Sequence, residues 1–188
     1  SICLYNLRIQ VQSIASGKIQ SAHIKDLHRT EVFRWLHANT PKESVVGSVN
    51  TDIESLIPVY TQNRVFFPPT DRTITPTHEG VTRYTILANI LNISAEWQKN
   101  NLDNIISYLF VYQSYDENGH LDINSIKRKT AEDEVDLESK GLWKESLKKY
   151  KLDYIVVTPD EIIQVKIDST ILKYETSFGN YHIFSLKI

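Results

Sequence analysis

The sequence predicts an α/β fold, a central mixed sheet flanked by helices and closed by a C-terminal β-hairpin. Three observations carry that prediction. Ser44 to Phe67 alternates strand, helix and strand, which suits a compact α/β unit. Tyr154-Ile155-Val156-Val157 is an unbroken β-forming run directly after a helical stretch. Two more such runs, about Ile171 to Thr176 and Tyr181 to Ile188, flank Phe178-Gly179-Asn180, a hairpin signal.

Taken in order, Leu7, Ile9 and Val11 alternate as in a short strand, and the polar run from Gln12 to Ala22 reads as linker. From Asp26, a candidate helix cap, Leu27, Val32, Trp35 and Leu36 supply an apolar stripe, so Trp35 is expected to be buried against the sheet. Pro41 disfavours helical geometry at Thr40 and should end this helix near Asn39. Ser44 to Val49 reads as a buried strand. Asn50-Thr51-Asp52 offers cap chemistry for a short helix through Ile53, Leu56 and Ile57. Gln62-Asn63 then turns the chain into Val65-Phe66-Phe67, a strand stopped by Pro68-Pro69.

Thr77 starts a helix carrying Val81, Tyr84, Leu87 and Leu91, and Ser94 caps another carrying Trp97, Leu102 and Ile105. Asp116 to Gly119 reads as a turn. Lys127 to Lys140 is charged and nearly free of large apolar groups, which predicts a mobile excursion open to proteases. Order returns with Leu142, Trp143, Leu147 and Tyr150 on a helix before the Tyr154 strand. The organisation is thus a lead or linker over 1–25 and one α/β domain over 26–188, with a long helical and charged insertion around 70–140.

Scarce residues exclude common chemistries. The six glycines, Gly17, Gly47, Gly80, Gly119, Gly141 and Gly179, are all far apart. Dinucleotide fingerprints, Walker A loops and nucleophile elbows all need closely spaced glycines and are impossible here. A single cysteine, Cys3, rules out an internal disulfide or a CxxC pair. The absence of Met and the opening Ser-Ile-Cys-Leu-Tyr suggest a segment of a longer protein rather than a signal peptide. A formal charge of −2 on 188 residues offers no electrostatic footprint for nucleic acid.

Five residues form the candidate ligand site. Asn50, Thr51 and Asp52 follow one strand, and Thr158 and Asp160 follow another. Ligands of open α/β sheets bind outside the carboxyl ends of strands, so neighbouring strands would bring both turns to one polar crevice. The competing reading is helix capping by Asn50 or Asp52 and a strand stop at Pro159. Metal chemistry finds no adequate set: His78-Glu79 lacks a His at position 82, and His23 and His28 have the wrong helical spacing. The loop Asp116 to Asp122 lacks the glycine and glutamate of a calcium loop. Asp160 with Gln164-Val165-Lys166 faintly suggests a metal-dependent nuclease strand, but Gln164 stands where a second acid is needed. Asn92-Ile93-Ser94 fits a glycosylation triplet that capping by Ser94 already explains.

The segment Val32 to Val46, with its Trp35-Leu36 and Asn39-Thr40-Pro41, resembles the opening of a soluble domain found at the C-terminus of many polytopic membrane glycosyltransferases. These are the lipid-linked-sugar enzymes similar to dolichyl-phosphate-mannose mannosyltransferases. Ile57 to Val65, Leu147 to Val157 and Tyr174 to Phe184 resemble later segments of that domain in the same order. The resemblance implies an extracytoplasmic domain tethered to the transmembrane part of its own parent chain. It implies a role beside a lipid-linked sugar or its acceptor. It carries no catalytic residue, metal or cofactor to this chain, because that chemistry belongs to membrane loops. A self-standing α/β ligand-binding module and the nuclease-like enzyme are the alternatives.

Overall fold

The computed structural model describes residues 18–67, 77–109, 114–115, 121–122, 125–158 and 166–187, with the side chains of 18–26, 77–78, 107–109, 114–115, 121–122 and 125–127 left aside. The elements run α1 Lys18–Asn39, β1 Val45–Gly47, α2 Thr51–Tyr60, β2 Arg64–Val65, α3 Thr77–Ile90, α4 Ala95–Asn100 and α5 Leu102–Leu109. There follow β3 Ser114–Tyr115, β4 Leu121–Asp122, α6 Ser125–Leu137, a π-helical turn Glu138–Leu142, α7 Trp143–Leu147, β5 Tyr154–Val157, β6 Leu172–Phe178 and β7 Tyr181–Leu186. The proposed strand at Leu7 to Val11 and the turn at Asp116 to Gly119 lie outside the described residues.

The main sheet has the order β2-β1-β5-β7-β6. β1 lies parallel to both β2 and β5, with Val46 opposite Val65 and Gly47 opposite Ile155. β7 lies antiparallel between β5 and β6. The fold is therefore α/β with a mixed sheet and a C-terminal hairpin, which turns at Gly179-Asn180. Both sheet faces are covered. On one, Val32 and Leu36 of α1 and Ile53 and Ile57 of α2 pack on Val46, Val156 and Ile183. On the other, Tyr84, Leu87 and Leu91 pack with Phe66, Ile155, Val157 and Phe184. Alternate residues of β5 go to opposite layers, so the strand has to be apolar throughout. Gly47 permits the close approach of the second layer. A Cβ there would meet Leu87 and Phe66 at 3.2 Å and Leu152 at 3.3 Å.

Three expectations need correction. The first helix is already formed at Lys18, so Asp26 lies within it and a boundary between 25 and 26 falls inside α1. No Pro or Gly interrupts Lys18 to Asn39, and extending a formed helix costs far less than nucleating one. Trp35 is half-buried rather than buried, set edge-on to Tyr154 at 6.4 Å between ring centres. Val32 and Leu36 occupy the inward face, and Trp35 lies to its side. Finally, most of Lys127 to Lys140 is helical rather than a loose excursion. Ala131, Val135 and Glu138, at helical spacing, are buried against the α3 layer. Lys99 reaches Asp136 at 2.7 Å and Arg128 pairs with Asp103, so ionic contacts to α4 and α5 complete the docking.

Candidate functional site

β1 and β5 are neighbours and parallel, so Asn50 to Asp52 and Thr158 follow strands that end at one edge of the sheet. Asn50 and Thr158 each lie three residues beyond the Gly47–Ile155 pair. This edge is also a switch point. From β1 the chain crosses through α2 to β2 on one side, and from β2 it returns through α3 to α7, on the opposite face, to β5.

Asn50 and Ser48 at this edge serve the backbone. Asn50 Oδ1 accepts from the N–H groups of Asp52 at 3.1 Å and Ile53 at 3.2 Å, capping α2. Ser48 Oγ accepts from Asn50 N–H at 3.3 Å. Thr51 is half-buried, Asp52 is exposed, and Thr158 is buried directly after β5. Asp160 lies outside the described residues, as do Gln164 and Val165.

The group missed by sequence reasoning is Glu54, fully buried on the first turns of α2. Its Oε2 accepts from Ser48 N–H at 2.8 Å and its Oε1 from Phe67 N–H at 2.9 Å. One carboxylate thereby ties the chain leaving β1 to the chain leaving β2. Helical spacing held the signal. Glu54 follows Ile53 and lies three residues before Ile57, which places it on the inward face. Arg83 closes the same edge from α3, donating from Nη1 to the Phe66 carbonyl at 2.9 Å and pairing with Glu79. Among the described residues, no group of three or more His, Cys, Asp or Glu is placed to hold a metal ion.

The opposite end of β5 is different. A cleft of about 490 Å³ opens between α7 and the segments that enter β5 and β6 and leave β7. Its apolar wall is Trp143, Leu147, Tyr150, Leu152 and Ile171, partly or wholly buried. Tyr150 is fixed from behind, edge-on to Phe66 at 6.4 Å and with the Arg83 guanidinium 4.5 Å from its ring centre. Gly141, in the left-handed region at φ 99°, turns the chain between α6 and α7 and so presents Trp143 to the cleft.

Lys144, Lys148, Lys151 and Lys187 also line the cleft, and all four are exposed. Their contacts are slight. Lys148 meets Glu145 at 2.7 Å, Lys151 meets Asp153 at 3.0 Å, and Lys187 donates to the Ser169 carbonyl at 2.6 Å. Lys144 sits 5.5 Å from the Trp143 ring centre. Asp153, the one acid in the lining, is already held by the backbone, accepting from Val45 N–H at 2.8 Å. The carboxyl of nearby Asp168 is held below its ordinary range, first by hydrogen bonds from Thr170, then by the charges of Lys144 and Lys187. The sequence signal for this cleft was Lys144, Lys148 and Lys151, three and four apart beside Trp143, Leu147 and Tyr150.

No family model, curated protein or solved structure matches the chain. Among the described residues, no helix is long and apolar enough to cross a membrane.

Proposed function

We propose that this chain is a non-catalytic extracytoplasmic domain of a polytopic, glycosyltransferase-like membrane protein. It stands beside the transmembrane part of its own parent chain and assists access of a lipid-linked sugar or acceptor. The family resemblance of the four segments motivates this reading. The observation that carries its non-catalytic half is the commitment of Asn50 and Glu54 to backbone N–H groups. They occupy the edge where an α/β fold usually places its chemistry. Polar groups held this way frame an edge rather than attack a substrate. The alternative, a self-standing ligand-binding module, is favoured by the cleft beside α7.

Location and catalysis are tested separately. In the full parent protein, Lys42→Cys in the exposed turn before β1 is expected to react with a membrane-impermeant maleimide in intact cells. Reaction only after permeabilisation contradicts an extracytoplasmic position. The purified domain is expected to leave model glycosides, esters and nucleic acid with magnesium unchanged. Turnover that disappears in Asp52→Ala overturns the non-catalytic reading.

A further inference from the structure

We propose that the lysine-rimmed cleft beside α7 binds an amphiphilic phosphate ester, its phosphate among the lysines and its apolar part against Trp143 and Leu152. The inference goes beyond the proposed function and holds wherever the domain resides. It begins with charge. The chain is net negative, yet among the described residues four lysines and one acid line this cleft; that acid already accepts a backbone N–H, and Glu145 and Asp168 stand beside the lysines without lining it. A local excess of cations on a net-negative protein selects an anion.

The choice of anion follows from the side chains. All four cations are lysines, rotatable point charges that can converge on several oxygens of one phosphate. Among the described residues no arginine lines this cleft, so an anion is met here by point charges rather than by a planar fork. Lys144 and Lys148 are four apart on one helical stretch, so their ammonium groups can reach the same group. The existing partners of the lysines are exposed and cheaply exchanged, since surface ion pairs contribute little. The volume falls within the range of small-ligand clefts. The aromatic and aliphatic wall, with Tyr150 clamped by Arg83 and Phe66, needs an apolar group to cover it.

Such an ester has two sources, a free small molecule or a lipid headgroup, and the test separates them. Phenyl phosphate, inorganic phosphate and phenol are titrated into the folded domain by calorimetry. Vesicles of phosphatidylcholine with and without phosphatidic acid are used in flotation. The expected result is binding of phenyl phosphate at least about tenfold tighter than inorganic phosphate, capture by phosphatidic acid vesicles, or both. Phenyl phosphate alone assigns a free ester, and vesicles alone assign a lipid headgroup. In either case Lys144→Glu with Lys148→Glu is expected to weaken binding about tenfold or more, while Lys129→Glu, equally exposed but on the amino-terminal half of α6 and outside the cleft lining, leaves it unchanged. Lys144→Gln with Lys148→Gln gives a smaller loss in the same direction and serves if charge reversal perturbs folding. The proposal is overturned if neither probe binds, if phosphate alone binds as tightly as its phenyl ester, or if binding survives the lysine variants.

Discussion

The two ends of β5 handle charge in opposite ways. Beyond its carboxyl end, Glu54 is fully buried and both its oxygens accept backbone N–H groups. Before its amino end, Lys144, Lys148, Lys151 and Lys187 are exposed and hold partners that water could replace. A buried charge is tolerable only when its hydrogen bonds are complete, so it becomes part of the frame. An exposed charge beside an apolar wall costs the fold little and stays available to a ligand. Position on an α/β scaffold therefore does not decide which edge binds. What decides it is whether the polar groups there are already committed.

The sharpest break of that comparison is Glu54→Ala. It leaves two buried N–H groups without their acceptors and is expected to cost roughly 3–5 kcal/mol, read as a shift in the denaturation midpoint. A cost under about 1 kcal/mol would show that water or the backbone replaces the carboxylate readily. Next comes Gly47→Ala at the same edge. The new methyl must displace Leu87, Phe66 and Leu152, and about 1–3 kcal/mol of destabilisation is expected in a urea titration.

Glu138 offers an intermediate case, near α7 yet buried. Its Oε1 accepts from Ser146 Oγ at 2.7 Å, while Oε2 has no hydrogen-bond partner among the described residues. Burial, followed by the nearby Glu134 charge, raises its carboxyl above the ordinary range, with Ser146 opposing. A raised acid binds its proton more strongly folded than unfolded. Its contribution is therefore most favourable below the unfolded pKa and is lost as pH rises through the folded one. Glu138→Gln is accordingly expected to raise the melting temperature at pH 7 and to lose that advantage on going to pH 4. An advantage that grows towards acid pH would reverse the sign. The smallest effect belongs to the cleft. Lys144→Gln with Lys148→Gln should change stability by less than about 0.5 kcal/mol in the same titration, because both side chains are exposed and their contacts, the Trp143 ring and Glu145, are surface ones.

Much of the frame was legible because its signals are local. Pro41 ends α1, Asn50 and Ser94 cap their helices, and Tyr154 to Val157 forms a strand buried on both faces. The shared edge of Asn50 and Thr158 was legible as well, since each follows a buried strand. Their role was not, because Asn50 looks the same whether it meets a ligand or a backbone N–H. Glu54 and the α6 helix were missed for a shared reason. Charged side chains suggest solvent, and only tertiary partners such as Ser48, Phe67 and Asp103 make their positions favourable. The cleft was legible only in part: Lys144, Lys148 and Lys151 are close in sequence, but Thr170, Ile171 and Lys187 are brought beside them by the fold alone.

The contrast between the two ends is tested most directly by mapping where a phosphate ester lands. Phenyl phosphate is titrated into the isotopically labelled domain and backbone amide shifts are followed by nuclear magnetic resonance. Saturable shifts are expected to concentrate at Trp143 to Lys151 and at Thr170 and Ile171, with Ser48 to Ile53 and Thr158 unmoved. Shifts centred on Ser48 to Ile53 and Thr158, with the α7 cleft silent, would contradict the account.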